Sequence, residues 1–282
     1  MLRIVKIAQL YCVLCALLTA LLGVLAACAE TQDEDTLVNY SRTARLNYER
    51  GMEDFEDEDC ADARKLFEHV QSRFPYSRYA ALAQLRLADC DYVQDKYSEA
   101  AVSYKHFVKT HPAHPDVHYA AFRTGLSYYR MIPHDWFIMP PSWERDQSAT
   151  RDAVRSFKLF MRNYPKSRHI KWARELLSEC ERALARHEIY AAEFYRNQGD
   201  LKAAAGRLHA AMQRYPDSIL APEALYLLGI TYLELQWYTS ARYTFETLVS
   251  KYPESHQSSR ARVYLETVMG HNTQSLQRGS DG

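Results

Sequence analysis

A short motif recurs along the chain: an aromatic residue, a proline, a variable residue and a serine. It reads FPYS at 74–77, YPKS at 164–167, YPDS at 215–218 and YPES at 252–255, and a weaker copy reads HPAH at 111–114. The successive prolines are 37, 53, 51 and 37 residues apart. A single unit of 37 residues explains all four spacings, because 53 is 37 plus 16 and 51 is 37 plus 14. The chain is therefore predicted to consist of five repeats, two with insertions, in which the proline ends one helix and the serine caps the next.

The residues between the prolines follow the tetratricopeptide pattern of a Leu-Gly-x-x-Tyr core, Ala-x-x-x-Phe and a closing proline. The last repeat matches it at Leu228, Gly229, Tyr232, Ala241, Phe245 and Pro253. The other repeats have small and large residues at corresponding positions: Gly51, Ala63 and Phe67; Ala88, Ala100 and Tyr104; Gly125, Ala153 and Phe157; and Ala192, Ala204 and Leu208. A small residue lets two crossing helices approach, and the large residue fills the adjoining space. We predict an all-α, tetratricopeptide-like α-solenoid of five helical hairpins plus a C-terminal capping helix.

The two insertions fall at different places in their repeats. The insertion of the third repeat lies between its two helices, at 132–147, and it includes Trp136, Phe137, Met139 and Trp143. Such an apolar loop either packs back on the scaffold or binds a partner, and both interpretations stay open. The other insertion contains no helix breaker before Gly199 and predicts one helix of about 30 residues, over 167–197.

The N-terminal segment, 1–27, differs in character from the rest of the chain. Arg3 and Lys6 precede an apolar run at 10–28, which is the layout of a signal peptide. An uncleaved transmembrane anchor is the alternative. The run ends in Leu-Ala-Ala-Cys, which resembles the bacterial lipobox and predicts that Cys28 is acylated, with palmitate among the chains. Because the next residue is Ala29 rather than aspartate, we expect attachment to the periplasmic face of the outer membrane.

These features divide the chain into four parts. After the signal peptide at 1–27, an acidic flexible tether is predicted at 28–39 and a disordered tail at 271–282. The repeat domain is predicted to occupy 40–270, with repeats ending near 75, 112, 165, 216 and 253. Cys60 and Cys90 lie at equal distances before and after Pro75 in the sequence, so an antiparallel pair of helices brings them together. They are either joined in a disulfide or buried as two thiols.

Motifs for catalysis or cofactor binding are not found. The chain has no Gly-rich phosphate loop, HExxH or Gly-x-Ser-x-Gly elbow, and its 35 basic and 35 acidic residues do not suggest a nucleic-acid partner. The best candidate for a metal site is His111, His114, Asp116 and His118. However, Pro115 and Asp116 are typical of a helix start, and the other repeats have a turn at this place, so a turn is favoured. We predict no enzyme activity, no cofactor and no metal.

Several segments together resemble the BamD family, the lipoproteins of the machine that assembles outer-membrane β-barrels. They are the lipobox, THPAHPDVHYAAFRTGLSYY at 110–129, ERDQSATRDAVRSF at 144–157 and RHEIYAAEFYRNQGDLKAAAGRL at 186–208. The resemblance extends over roughly 40–255 and implies a lipid-anchored, non-enzymatic adaptor. Its implied partners are the POTRA repeats of a BamA-like barrel scaffold, other assembly lipoproteins and unfolded outer-membrane proteins.

The resemblance also implies two binding sites. An arginine that contacts the scaffold in the family matches Arg207, whose planar guanidinium suits a carboxylate. Incoming barrel proteins are expected at the concave face of repeats one and two, for which we name Tyr48, Phe55, Tyr79 and Tyr92. The alternative function is a repeat lipoprotein that serves pilus-secretin or Tol/peptidoglycan-linked envelope machinery.

Overall fold

The computed structural model describes residues 39–133 and 139–266, which form α-helices joined by short turns, with no β-strand among them. The predicted signal peptide, Cys28, Trp136, Phe137 and the predicted tail lie outside the described residues, as does all of the predicted tether except Asn39, which is already helical. The helices are α1 (39–56), α2 (Cys60–Arg73), α3 (Arg78–Val93), α4 (Tyr97–Thr110), α5 (Val117–Arg130), α6 (Ser148–Asn163), α7 (Ile170–Asn197), α8 (Leu201–Arg214), α9 (Ala221–Glu234), α10 (Tyr238–Lys251) and α11 (256–266). A 3₁₀ helix at Ser142–Glu144 precedes α6. None of the helices in these ranges combines the length and apolar character needed to span a bilayer.

The described residues divide into two compact units, with the boundary between Lys96 and Tyr97. In the N-terminal unit, α1, α2 and α3 share a core that includes Ala44, Phe67 and Ala83. In the C-terminal unit, each helix from α4 to α10 packs against the next one along the chain. This succession of helices confirms the all-α, tetratricopeptide-like fold class.

The insertions account for the unequal spacing of the prolines. Helix α7 has 28 residues and α9 has 14, and their difference of 14 equals the number of residues by which the 51-residue proline spacing exceeds the repeat of 37. The connection between α5 and α6 runs over 131–147, whereas α9 and α10 are joined by 235–237 alone. Helix α6 has 16 residues where α10 has 14, so it is slightly longer as well. The longer connection and the longer helix together account for the 16 residues by which the 53-residue proline spacing exceeds the repeat of 37.

The turn motif ends one helix and leads into the next through the aromatic carbonyl and the serine. The backbone N–H of Ser167 donates to the carbonyl of Tyr164 at 3.0 Å, and Ser77, Ser218 and Ser255 bond to Phe74, Tyr215 and Tyr252 in the same way. The hydroxyls of Ser167, Ser218 and Ser255 also accept a backbone N–H, from His169, Leu220 and Ser258. The predicted serine cap is wrong at Ser77, whose buried hydroxyl has no hydrogen-bond partner in the structure.

The weakest copy of the motif, at 111–114, uses histidine in place of serine. The N–H of His114 donates to the carbonyl of His111 at 3.1 Å, and its ring Nδ1 accepts the N–H of Asp116 at 3.1 Å. His114 therefore occupies the serine position and performs the same role as the serine hydroxyls. This explains the histidine by turn geometry, as the turn interpretation expected. No group of three metal-ligating side chains occurs in the described parts of the chain.

Three glycines lie where the two helices of a hairpin cross. A Cβ placed on Gly51, Gly125 or Gly229 would lie 2.8, 2.7 or 2.4 Å from the ring of Phe67, Phe157 or Phe245, respectively. All three rings are fully buried. In these three hairpins the glycine and the phenylalanine of the repeat pattern are therefore in direct contact, because the ring takes up the space that a side chain would need.

The three cysteines of the repeat domain are buried free thiols. Cys60 and Cys90 belong to the core of the N-terminal unit and lie within hydrogen-bonding distance of each other, so their predicted proximity is observed. The disulfide is not formed in the structure, which instead has the alternative of two thiols. Burial, followed by the neighbouring Cys60, raises the pKa of Cys90 to about 12, and burial raises the pKa of Cys180 to about 12.

We expect Cys90 and Cys180 to react with iodoacetamide at pH 8 at least about ten times more slowly in the folded protein than in urea. At this pH a pKa of 12 leaves about one thiol in ten thousand ionised, whereas an ordinary cysteine with a pKa of about 8.5 is roughly one quarter thiolate. Timed labelling followed by peptide mass spectrometry measures each site separately. Labelling of either thiol in the folded protein at the rate found in urea would contradict its burial.

Candidate partner-binding surface

An ion-pair cluster on α7 and α8 is the most organised charged feature around a predicted site residue. The side chain of Glu188 on α7 is 8% exposed. Its Oε2 lies 3.3 Å from Nη1 of Arg207, and its Oε1 lies 3.2 Å from Nη1 of Arg214. Each carboxylate oxygen thus holds one guanidinium of α8. Arg207 and Arg214 are seven residues apart, which places them on the same face of the helix, two turns from each other.

Arg207 has a second neighbour on α7. Its guanidinium carbon is 5.9 Å from the centroid of the Tyr195 ring. A hydrogen bond with Tyr195, together with the nearby Glu188, raises the pKa of Arg207 despite the opposing effect of burial. The side chains of Arg207 and Arg214 nevertheless remain 44% and 62% exposed. Both guanidinium groups therefore contact side chains of α7 and remain exposed to solvent.

The four aromatic residues proposed for the N-terminal face mostly belong to the packing of their own unit. Tyr79 is 8% exposed, and the Tyr48 ring lies 5.6 Å from it and 5.7 Å from the Phe67 ring. The hydroxyl of Tyr48 accepts a hydrogen bond from Nε of Arg86 at 3.4 Å. Phe55 packs against the same core and Tyr92 is half-buried. Tyr79 is thus wrong as a surface residue, because the space between α1, α2 and α3 is filled by these rings.

The described end of the apolar insertion packs against α7. We call residues 139–147 the strap. The carbonyl of Trp143 lies 2.6 Å from Nδ1 of His187, and the guanidinium of Arg186 lies 6.0 Å from the Trp143 ring. Glu144 hydrogen-bonds to Tyr190. The strap therefore contacts the middle of α7, the helix that contains the second insertion.

Two polar side chains of the strap hydrogen-bond to backbone carbonyls of the insertion and its flank. Gln147 is buried, and its Nε2 donates to the carbonyls of Ser142 at 2.7 Å and Arg145 at 2.9 Å. Arg145 donates in turn to the carbonyl of Pro133 at 3.4 Å, across the base of the insertion. Trp143 is half-buried against α7, whereas Met139 is 60% exposed. Of the predicted loop residues that the structure describes, Met139 is therefore more exposed than Trp143.

Sequence reasoning named Arg207 and missed Glu188 and Arg214. A signal for Glu188 exists in the sequence: it interrupts the apolar stripe of Leu184 and Ala192, four residues away on either side. A carboxylate in such a stripe requires a cationic partner when it is buried. What the sequence does not show is which cation pairs with it, because that depends on the register between α7 and α8.

Comparison with known proteins gives a family for the chain. The family model described as YfiO, outer membrane lipoprotein, matches residues 41–244. An outer membrane protein assembly factor BamD from Neisseria gonorrhoeae is 28% identical over 250 residues, which cover 85% of this chain and 91% of that protein. The protein of the same name from Caulobacter vibrioides is 27% identical over 210 residues, covering 74% and 66%.

Among solved structures, the TPR2AB domain of yeast Sti1 in its pHSP90 complex aligns with a TM-score of 0.42 and 10% identity, over 84% of this chain and 88% of that one. The matched family model covers well over half of the present sequence and spans α2 to α9 completely. The chain therefore belongs to the YfiO family of outer membrane lipoproteins.

Proposed function

We propose that this protein is an assembly factor for outer membrane proteins, acting as an adaptor in the machine that inserts β-barrels. The observation that carries the proposal is the family match over 41–244, together with relatives named as assembly factors over most of their length. The polar groups around Arg207 include two ion pairs, which suit the binding of a charged partner rather than a reaction. The proposal accordingly assigns no enzymatic activity.

The proposal places the protein on the periplasmic face of the outer membrane, attached through acyl chains on Cys28. In its C-terminal unit, Arg207 is proposed to bind a carboxylate on the POTRA repeats of a BamA-like scaffold. Its exposure of 44% supports this role, since a partner can reach the guanidinium without rearrangement of α8. Incoming barrel proteins and other assembly lipoproteins complete the proposed set of partners.

Depletion of the protein tests the proposed function directly. We expect many outer-membrane barrel proteins to decrease together, as measured by quantitative mass spectrometry of purified envelopes. Purification of the protein from detergent is expected to recover a large β-barrel protein. We expect Arg207→Glu to reduce this recovery at least about tenfold, because a like charge then faces the partner carboxylate.

Two outcomes would contradict the proposal. Loss of a single secretin or of Tol-linked proteins alone would favour the alternative envelope machinery. Recovery of no barrel protein with the unchanged chain would remove the adaptor function itself.

A further inference from the structure

We infer that Arg214 acts with Arg207 as a two-guanidinium receptor for a carboxylate of the partner, and that buried Glu188 positions both arginines. This inference rests on the proposed function and adds two residues to the proposed contact. It assigns Arg214 a direct role in recognition and Glu188 an indirect one. It also defines the chemistry that the partner must present, which is an acidic side chain on a protein surface.

Glu188 holds both arginines in place on the neighbouring helix. Arginine has a long, mobile side chain, and holding it in one orientation costs conformational entropy. Glu188 reduces that cost because its oxygens contact Arg207 and Arg214 at 3.3 and 3.2 Å from a nearly buried position on the neighbouring helix. Tyr195 supports Arg207 from α7 as well. The pair is therefore oriented before a partner arrives, and preorganisation of this kind increases affinity.

The ion-pair cluster carries a net positive charge. Two guanidinium groups and one carboxylate leave a net charge of plus one in the cluster. A single partner carboxylate would neutralise this charge. It would pair with both guanidinium groups from the side opposite to Glu188. Guanidinium groups are suited to this arrangement because their planar array of N–H donors can serve two carboxylates at once.

Both arginines are accessible from solvent. Glu188 is buried, so it cannot itself meet a partner, whereas Arg214 is the more exposed of the two arginines at 62%. Arg214 also ends α8 and immediately precedes the turn that contains Pro216. A surface that reaches Arg207 on this face can therefore meet Arg214 as well, two helical turns further along.

The test measures binding of the full protein to the purified periplasmic POTRA region of the barrel scaffold from the same organism. We expect Arg214→Gln to raise Kd about tenfold, and Arg214→Lys to recover only part of the loss, because lysine keeps the charge without the planar fork. Arg242→Gln is the matched control. Arg242 is an exposed arginine on α10 that faces Glu246 at 3.9 Å, and its loss should leave Kd unchanged.

Glu188→Gln separates positioning from simple attraction by the direction of the effect. The variant makes the cluster one unit more positive, so attraction alone predicts tighter binding to an acidic partner. Positioning predicts weaker binding, with Kd raised about fivefold through faster dissociation. Combining Glu188→Gln with Arg207→Gln and Arg214→Gln should then add no further loss, because no guanidinium is left to position.

The results distinguish the inference from the function on which it rests. If the unchanged protein does not bind the POTRA region, both are overturned. If it binds and Arg214→Gln has no effect, or Glu188→Gln binds as tightly as the unchanged chain or more tightly, the inference alone is overturned. Thermal unfolding of each variant identifies any that fails to fold. If Glu188→Gln fails to fold, the comparison of Arg214→Gln with Arg214→Lys decides whether the guanidinium of Arg214 binds the partner.

Discussion

Replacement of Gly229 by alanine is expected to lower the free energy of unfolding by about 2 kcal/mol, although alanine is the better helix former. The new Cβ would lie 2.4 Å from Cε1 of Phe245 and 2.6 Å from its Cζ. The Phe245 ring is fully buried and stacks on Tyr264 at 5.5 Å, so it cannot move aside without disturbing α11. The hairpin of α9 and α10 must open or the ring must leave its preferred rotamer, and either response costs more than the gain in helix propensity. Urea unfolding followed by circular dichroism measures the change.

Gly206 provides a matched control for this substitution. It lies inside α8, it is exposed, and a Cβ built on it meets no atom within 4 Å. Gly206→Ala is therefore expected to raise the free energy of unfolding by up to about 1 kcal/mol, the usual difference between glycine and alanine in a helix. The same chemical change should thus have opposite signs at two positions. Equal effects at both would show that contact with Phe245 does not limit the residue at 229.

Replacement of Cys28 by serine is expected to release the protein from membranes almost completely. A serine hydroxyl cannot form the thioether that is proposed to attach a diacylglycerol to Cys28. Each buried methylene contributes about 0.8 kcal/mol, and stable anchoring requires two chains, so loss of the acyl groups removes the anchor. The variant should be produced behind a non-lipoprotein signal peptide, so that cleavage does not depend on the cysteine. Flotation of the purified proteins with phosphatidylethanolamine–phosphatidylglycerol vesicles measures the effect.

Native protein is expected to float with the vesicles and the serine variant to stay at the bottom of the gradient. Cys180→Ser serves as the control, since it removes a buried thiol of the repeat domain and should float like the native protein. A serine variant that still floats would mean that protein surface, rather than lipid on Cys28, binds the membrane.

The architecture was predictable because its determinants are local and repeated. The proline ends a helix by chain geometry, and the spacing between prolines is read from the sequence without knowledge of contacts. The length of α7 followed in the same way, since the second insertion contained no breaker. The sequence also predicted small residues where the helices cross, whereas the contact of Gly125 with Phe157 is seen only in the structure.

The partners of individual polar side chains were less predictable. The Ser77 hydroxyl remains unbonded in a turn whose three counterparts form the predicted bond, and the motif does not encode this difference. Tyr79 was named for the concave face of repeats one and two, but it is buried beside Tyr48 and Phe67, which come from other helices of the unit. Glu188 meets Arg207 and Arg214 only through the register of two packed helices, which repeat spacing does not specify.

The contact between the strap and α7 has a consequence for the exchange of segments between related proteins. The two insertions are separated in the sequence by α6, yet His187 and Tyr190 on the lengthened helix contact Trp143 and Glu144 of the strap. A chimera that acquires the strap without the longer helix would lose those contacts. A chimera that acquires only the helix would leave His187 and Tyr190 without their strap partners. The two insertions therefore form a single transferable part, and a functional graft should carry residues 131–197 together.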